Sequence, residues 1–124
     1  MNKIIYRLTL DTHKNGIQKT LQGFQTADNN TRRIVISLVA GGDSYEFDGS
    51  NTTAIAYVTT PNTTIPNTYD CTIKDNSIIY DVPSITEEGI SEVQIKLVET
   101  GEESVLATPK FAIEVLKSLM DDEG

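Results

Sequence analysis

Hydrophobic and polar positions alternate with a period of two from the start of this chain. Ile4, Tyr6, Leu8 and Leu10 share one parity, and Ile5, Arg7 and Thr9 the other, as in a half-buried strand. His13-Lys14-Asn15-Gly16 then predicts a turn, and Ile17 to Phe24 a second short strand. Arg33 to Val39 is apolar at both parities around Ser37, which predicts a strand near the middle of a sandwich. Gly41-Gly42-Asp43 predicts a hairpin, because glycine reaches the positive φ angles of tight turns without a Cβ clash.

Thr53 to Thr59 sets Ile55 and Tyr57 against Ala54, Ala56 and Val58, and Pro61 and Pro66 close it, since neither can donate to a ladder. Tyr69, Cys71 and Ile73 alternate with Asp70, Thr72 and Lys74; Asp75-Asn76 turns the chain; Ile78 to Val82 returns. That is a β-hairpin pattern. Thr86-Glu87-Glu88-Gly89 predicts a further turn. The clearest alternation follows, with Val93, Ile95 and Leu97 inward and Glu92, Gln94 and Lys96 outward. Thr100-Gly101-Glu102 is a turn signal. Val105-Leu106 and Phe111, Ile113 and Val115 form a last strand broken at Pro109, which places that strand at an edge or gives it a bulge.

Only LKSLMDDEG at the end could start a helix. The expected fold is all-β: an immunoglobulin-like antiparallel β-sandwich of about seven to nine strands. Its expected bounds are residues 1–118, with 119–124 an acidic tail or the start of a following helix.

Length agrees with this. The 124 residues suffice for one domain with its own core. The single cysteine, Cys71, excludes an internal disulfide framework, and no second cysteine or histidine cluster offers metal-ligand spacing. The N-terminus has no apolar run long enough for a signal peptide, so synthesis in the cytosol is expected. No stretch reaches the roughly 20 apolar residues of a membrane span.

A net charge of -8 argues against a nucleic-acid binder, whose affinity comes mostly from neutralising phosphates. The charge is divided, however. Residues 1–33 carry six bases and two acids, a balance of +4, while residues 34–124 carry four bases and sixteen acids, a balance of -12. Such a division either steers docking of unlike surfaces or reflects ordinary solvated faces.

The richest local chemistry is the polar stretch Asp28-Asn29-Asn30-Thr31-Arg32-Arg33. A calcium loop would need acids or amides at alternate positions, then a glycine and a distant Glu; this stretch puts cations where ligands belong. Two arginines could grip a phosphate or carboxylate, but neighbours on a strand point to opposite faces. The plainest reading is that Asp28 and Asn29 close a turn on their own backbone and Arg32 and Arg33 flank the following strand. The main alternative is an inter-subunit contact.

His13 sits in a turn without an orienting partner, as a solvated loop residue would. Cys71 lies in phase with Tyr69 and Ile73, as a buried and inert thiol would. Glu87-Glu88, Glu102-Glu103 and Asp121-Asp122-Glu123 fall in expected turns or at the terminus. Paired carboxylates for glycoside hydrolysis are less natural there than solvated acids. Asn29-Asn30-Thr31, Asn51-Thr52-Thr53 and Asn62-Thr63-Thr64 fit the glycosylation sequon, as chance allows in a chain rich in Thr and Asn. There is no phosphate loop and no nucleophile elbow. No catalytic residue, cofactor or metal ligand is expected.

The order of features carries more than any one of them. KIIYRLTLDTHKN leads into GFQTADNNTRRIVISL, followed by the Gly-Gly hairpin, Tyr45 and Phe47, and TTAIAYVTTP. Ile78 to Val82, SEVQIKLVE and PKFAIEVLKSLMDDE complete the series. This order resembles the N-terminal domain of the baseplate upper protein (BppU) family of tailed phages and prophages of Gram-positive bacteria. The resemblance covers nearly the whole chain and is most specific from Phe24 to Leu38.

It implies a β-sandwich attachment module in the virion, joining host-recognition proteins to the tail core. The implied partners are other tail and baseplate proteins, with a homo-oligomer, trimeric or hexameric, in the assembled baseplate. Neither nucleic acid nor membrane is an expected partner. The resemblance brings no active site, and it gives Asp28, Asn29, Arg32 and Arg33 a role in protein docking. A carbohydrate-binding β-sandwich is the competing reading, although the chain has no Trp and only five Tyr.

Overall fold

Ten strands and one 3₁₀ turn make up the fold of the computed structural model, which describes residues 1–100 and 104–121. In chain order the strands are β1 (Ile4–Asp11), β2 (Ile17–Gln25), β3 (Arg32–Ala40), β4 (Asp43–Ser44) and β5 (Thr52–Thr59). They continue with β6 (Asn67–Lys74), β7 (Ser77–Val82), β8 (Gly89–Glu99), β9 (Ser104–Ala107) and β10 (Lys110–Leu116). The all-β expectation holds. The chain makes one more strand than the upper expectation, the two-residue β4 that closes the Gly41-Gly42 hairpin against β3.

The strands form one path, β1-β3-β7-β6-β5-β8-β10-β2, with β4 on β3 and β9 on β8. β6 turns the corner. Its first half, Asn67 to Cys71, pairs with β5, and its second half, Thr72 to Lys74, pairs with β7. The sheet thereby curls until its two end strands, β1 and β2, approach each other, giving a nearly closed, barrel-like body.

The expected antiparallel pairing needs correction at both ends of the path. β1 runs parallel to β3 and β10 parallel to β2. The period of two is the same for either direction, so the residue pattern could not distinguish them. Both parallel pairs join strands that are not consecutive in the chain, whereas the consecutive strands that pair, β3–β4, β5–β6, β6–β7 and β8–β9, are antiparallel hairpins.

Alternation places the core. Ile34, Ile36 and Leu38 of β3, Ala54, Ala56 and Val58 of β5, and Ile78, Tyr80 and Val82 of β7 are buried. Val93, Ile95 and Leu97 of β8 meet them, as do Phe111, Ile113 and Val115 of β10. Leu8 and Leu10 of β1 and Leu21 and Phe24 of β2 complete the cluster. Ile4, the first residue of β1, shares the parity of Leu8 yet is half exposed.

The β6–β7 hairpin turns on Asp75 and Asn76, with φ of 51° and 62°, the left-handed pair of a type I′ turn. Thr86 to Glu88 is no turn but an irregular approach to β8. Gly89 is needed for another reason: a Cβ there would lie 2.6 Å from Cγ of Pro61. The expected turn at Gly101-Glu102 lies outside the described residues.

The break at Pro109 is a bulge in the interior of the sheet, since β10 is flanked by β8 and β2. β9 and β10 both pair with β8, on either side of Thr108. The Thr108 hydroxyl accepts from Ile95 N (3.0 Å) and donates to Pro109 O (3.0 Å). It thus replaces ladder bonds that the proline interrupts. Leu119–Asp121 is the 3₁₀ turn.

Candidate functional site

The polar stretch before β3 is built as a corner, and each residue has a definite place in it. β2 ends at Gln25, and Asp28 N donates back to Gln25 O (3.2 Å). Asp28 Oδ2 accepts from Gln25 N at 3.1 Å, so the acid closes the turn on backbone as expected. Ala27 takes positive φ, 77°, at its tip. Two long-range contacts fasten this corner: Ala27 N donates to Ile85 O and Ile85 N to Asp28 O. Thr26 is buried, donates through its N–H to Leu116 O, and accepts Ser118 N on its hydroxyl.

Arg32 and Arg33 separate, as neighbours on a strand should. Arg32 turns inward. Its Nε donates to Asp28 Oδ2 (2.9 Å) and its Nη1 to the Tyr6 hydroxyl (2.9 Å), while its guanidinium stands 5.5 Å over the Phe24 ring. Tyr6 in turn donates to Gln22 O (2.9 Å) and stacks on Phe24. Burial works against the Arg32 charge, but Asp28 and Tyr6 outweigh it, and its pKa is held above the ordinary value.

Arg33 faces out and forks onto Asp81, directly opposite on β7, at 2.7 and 3.2 Å. Its pKa is also raised, chiefly by those hydrogen bonds. Lys3 joins this cluster, 3.5 Å from Asp81 and bonded to Asn30 Oδ1. Asn30 itself has a positive φ, 58°. Asn29 is exposed. Of the four residues singled out, Asp28 and Arg32 act together inside the corner, Arg33 acts across the sheet, and Asn29 projects into solvent.

Sequence reasoning missed Tyr6, Gly23 and Asp81 as members of this arrangement. Gly23 has φ of 97°, and a Cβ there would lie 2.9 Å from the Tyr6 hydroxyl. A glycine inside a strand pattern signals such an approach, but it does not name the partner.

Elsewhere, Asp11 joins two turns. Its Oδ1 accepts from His13 N and Gly41 N, both at 3.0 Å, tying the β1–β2 turn to the β3–β4 turn. These backbone bonds hold its pKa below the usual carboxylate value. His13 is exposed and lies against Gly41. Cys71 is half buried, and desolvation pushes its thiol up to about 12, which disfavours the reactive thiolate.

Glu87 turns Oε1 inward, buried and without a hydrogen-bond partner. It lines a cavity of about 130 Å³ with Tyr69, Tyr80 and Ile113. Glu88 is exposed, so the two acids do not converge on one cleft. Glu102-Glu103 and Asp122-Glu123 lie outside the described residues. Among the described residues no group of three or more His, Cys, Asp or Glu side chains gathers around a common point, and no helix is long and apolar enough to cross a membrane. Of the five tyrosines, Tyr80 is buried and Tyr6, Tyr45, Tyr57 and Tyr69 are partly buried.

Residues 4–124 match the BppU N-terminal domain. The chain belongs to that family. It is a family of phage baseplate structural domains, so the chain's role lies in the tail baseplate of a virion among other tail proteins. A search of curated proteins finds no match. Among solved structures the chain is similar to the N-terminal domain of phage TP901-1 ORF48, with a TM-score of 0.67 and 18% identity. The match covers 91% of this chain and 98% of that one. At that identity the likeness speaks for the fold: the BppU N-terminal domain in hand shares its β architecture.

Proposed function

We propose that this BppU N-terminal domain is an attachment module, linking host-recognition proteins to the tail core through protein–protein contacts. The observation that carries this reading is family membership over residues 4–124. The corner agrees with it. Asp28 and Arg32 are spent on each other, on Tyr6 and on backbone, which makes a rigid support and leaves Arg33, Asp81 and Asn29 at the surface for docking.

The ORF48 domain of phage TP901-1 supports the reading by analogy of fold. Immunogold labelling of purified virions, with an antibody raised against residues 1–124, tests it. Label at the distal tail tip is the expected result. Unlabelled virions with antigen confined to the lysate would overturn it.

A further inference from the structure

β1 is an end strand whose outer edge is open. In a parallel ladder alternate residues bond to the neighbour. Ile4 N donates to Thr31 O and Thr12 N to Val39 O, so the even residues of β1 face β3. The N–H and C=O groups of Ile5, Arg7, Thr9 and Asp11 therefore point away from β3, toward β2, with which β1 shares no ladder.

At Asp11 that edge is already occupied. The Gln18 carboxamide accepts from Asp11 N (2.8 Å) and donates to Asp11 O (2.9 Å). This is the pair of bonds that one residue of an added antiparallel strand would make. At the other end of the seam the Tyr6 hydroxyl bridges to Gln22 O. Between these two bridges no hydrogen bond reaches the outward backbone of Arg7 or Thr9 among the described residues, nor that of Ile5 just before Tyr6, and all three are exposed.

The side chains around this gap are basic. Arg7 and Lys19 line a groove of about 360 Å³ with Gln18, Thr9 and Ser37. Both are exposed cations in no salt bridge among the described residues. Lys14 stands at the turn end of the same seam. Open edges recruit strands, and an edge rimmed by cations favours an acidic one.

We propose that the free edge of β1 takes an extended, acidic segment of a partner protein as an additional strand, paired to Ile5, Arg7 and Thr9 and flanked by Arg7 and Lys19. This rests on the attachment reading and names the surface by which attachment occurs. The Gln18 carboxamide caps the edge at Asp11 and sets where the added strand stops.

The test is amide exchange by NMR on the full chain, with two synthetic peptides about as long as β1's 8 residues. Both alternate Val and Thr with charge, one carrying Glu and the other Lys. The Glu peptide is expected to slow exchange at Ile5, Arg7 and Thr9 by about tenfold or more. Tyr6, Leu8 and Leu10 are protected beforehand by β3.

Thr9→Pro, which removes an N–H not used by β3, should abolish the response while Leu8 and Leu10 stay protected. Arg7→Glu, which leaves the backbone intact, should weaken it. An equal response to the Lys peptide, protection mapped elsewhere, or no protection overturns the proposal. So does pairing of β1 with a second copy of the chain, seen as concentration-dependent protection without peptide. Gold label at the tail tip with no peptide response would sink the seam and leave attachment standing. Unlabelled virions would sink attachment whatever the peptide does.

Discussion

Tyr6 and Phe24 stack with ring centroids 4.7 Å apart and planes 17° apart, although their strands, β1 and β2, share no backbone ladder. The stack and the Tyr6 hydroxyl are what join the two ends of the curled sheet near Arg32. Tyr6→Phe keeps the ring and removes the acceptor of Arg32 Nη1 and the donor to Gln22 O. A loss of about 1–3 kcal/mol is expected, since one bond involves a charged group. Phe24→Ala, in a fully buried position, should lose about 3–5 kcal/mol. Urea unfolding checks both. A Tyr6→Phe variant as stable as the parent would show that the hydroxyl carries no net stability.

Gly23 lets Tyr6 lie where it does. Its φ of 97° is strained for any side chain, and an added Cβ would lie 2.9 Å from the Tyr6 hydroxyl oxygen. Gly23→Ala is expected to destabilise by about 1–3 kcal/mol. Part of that is steric and should vanish with the oxygen. In a Tyr6→Phe background the same change should therefore be smaller by more than about 0.5 kcal/mol. An additive double-mutant cycle would assign the whole effect to backbone strain.

The sequence pattern reveals elements better than the ties between them. The alternation in Val93 to Leu97, the Asp75-Asn76 hairpin and the opposite faces of Arg32 and Arg33 are all local properties, and each is visible in a few residues. The division of β6 between two neighbours is not local, and neither is the direction of β1 along β3. Both depend on where distant strands come to rest. At the candidate site, the Asp28 turn and its position ahead of β3 were legible in the same way. Tyr6, Ile85 and Ser118 were not, because each reaches the corner from another strand or loop. Gly89 shows the cost of local reasoning most plainly: its sequence context suggests a turn, while its place is set by Pro61.

The outer ion pair is the part of the corner that pH should reach. Hydrogen bonds from Arg33 hold Asp81 below the ordinary carboxylate value of 3.8; burial opposes them, and the charges of Arg33 and Lys3 add to them. The unfolded chain therefore takes up this proton at higher pH than the folded one. Its stabilisation is complete above the ordinary value and is lost as pH falls through the lower, folded value. Thermal unfolding followed from about pH 6 to about pH 2 should show a flatter acid limb for Asp81→Asn than for the parent. Parallel curves would remove Asp81 from the acid sensitivity, leaving Asp11 and Asp48, whose values are also lowered.

Thr108 poses the sharpest question about how the broken strand is tolerated. Pro109 cannot donate a hydrogen bond, and the ladder along β8 lapses between β9 and β10. The Thr108 hydroxyl, buried to 1% exposure, serves Ile95 N and Pro109 O at once. Gln94 adds a bond from Nε2 to Thr108 O (2.8 Å). Thr108→Val keeps the shape and strands a buried donor and acceptor, so a loss of about 1–3 kcal/mol is expected. Thr108→Ser keeps the hydroxyl and should recover most of it. The Ile95 amide should also lose hydrogen-exchange protection in the valine variant and keep it in the serine variant. If valine costs no more than serine, the missing methyl and not the hydroxyl is what matters, and the bulge is held by packing against Phe111 and its neighbours in the core.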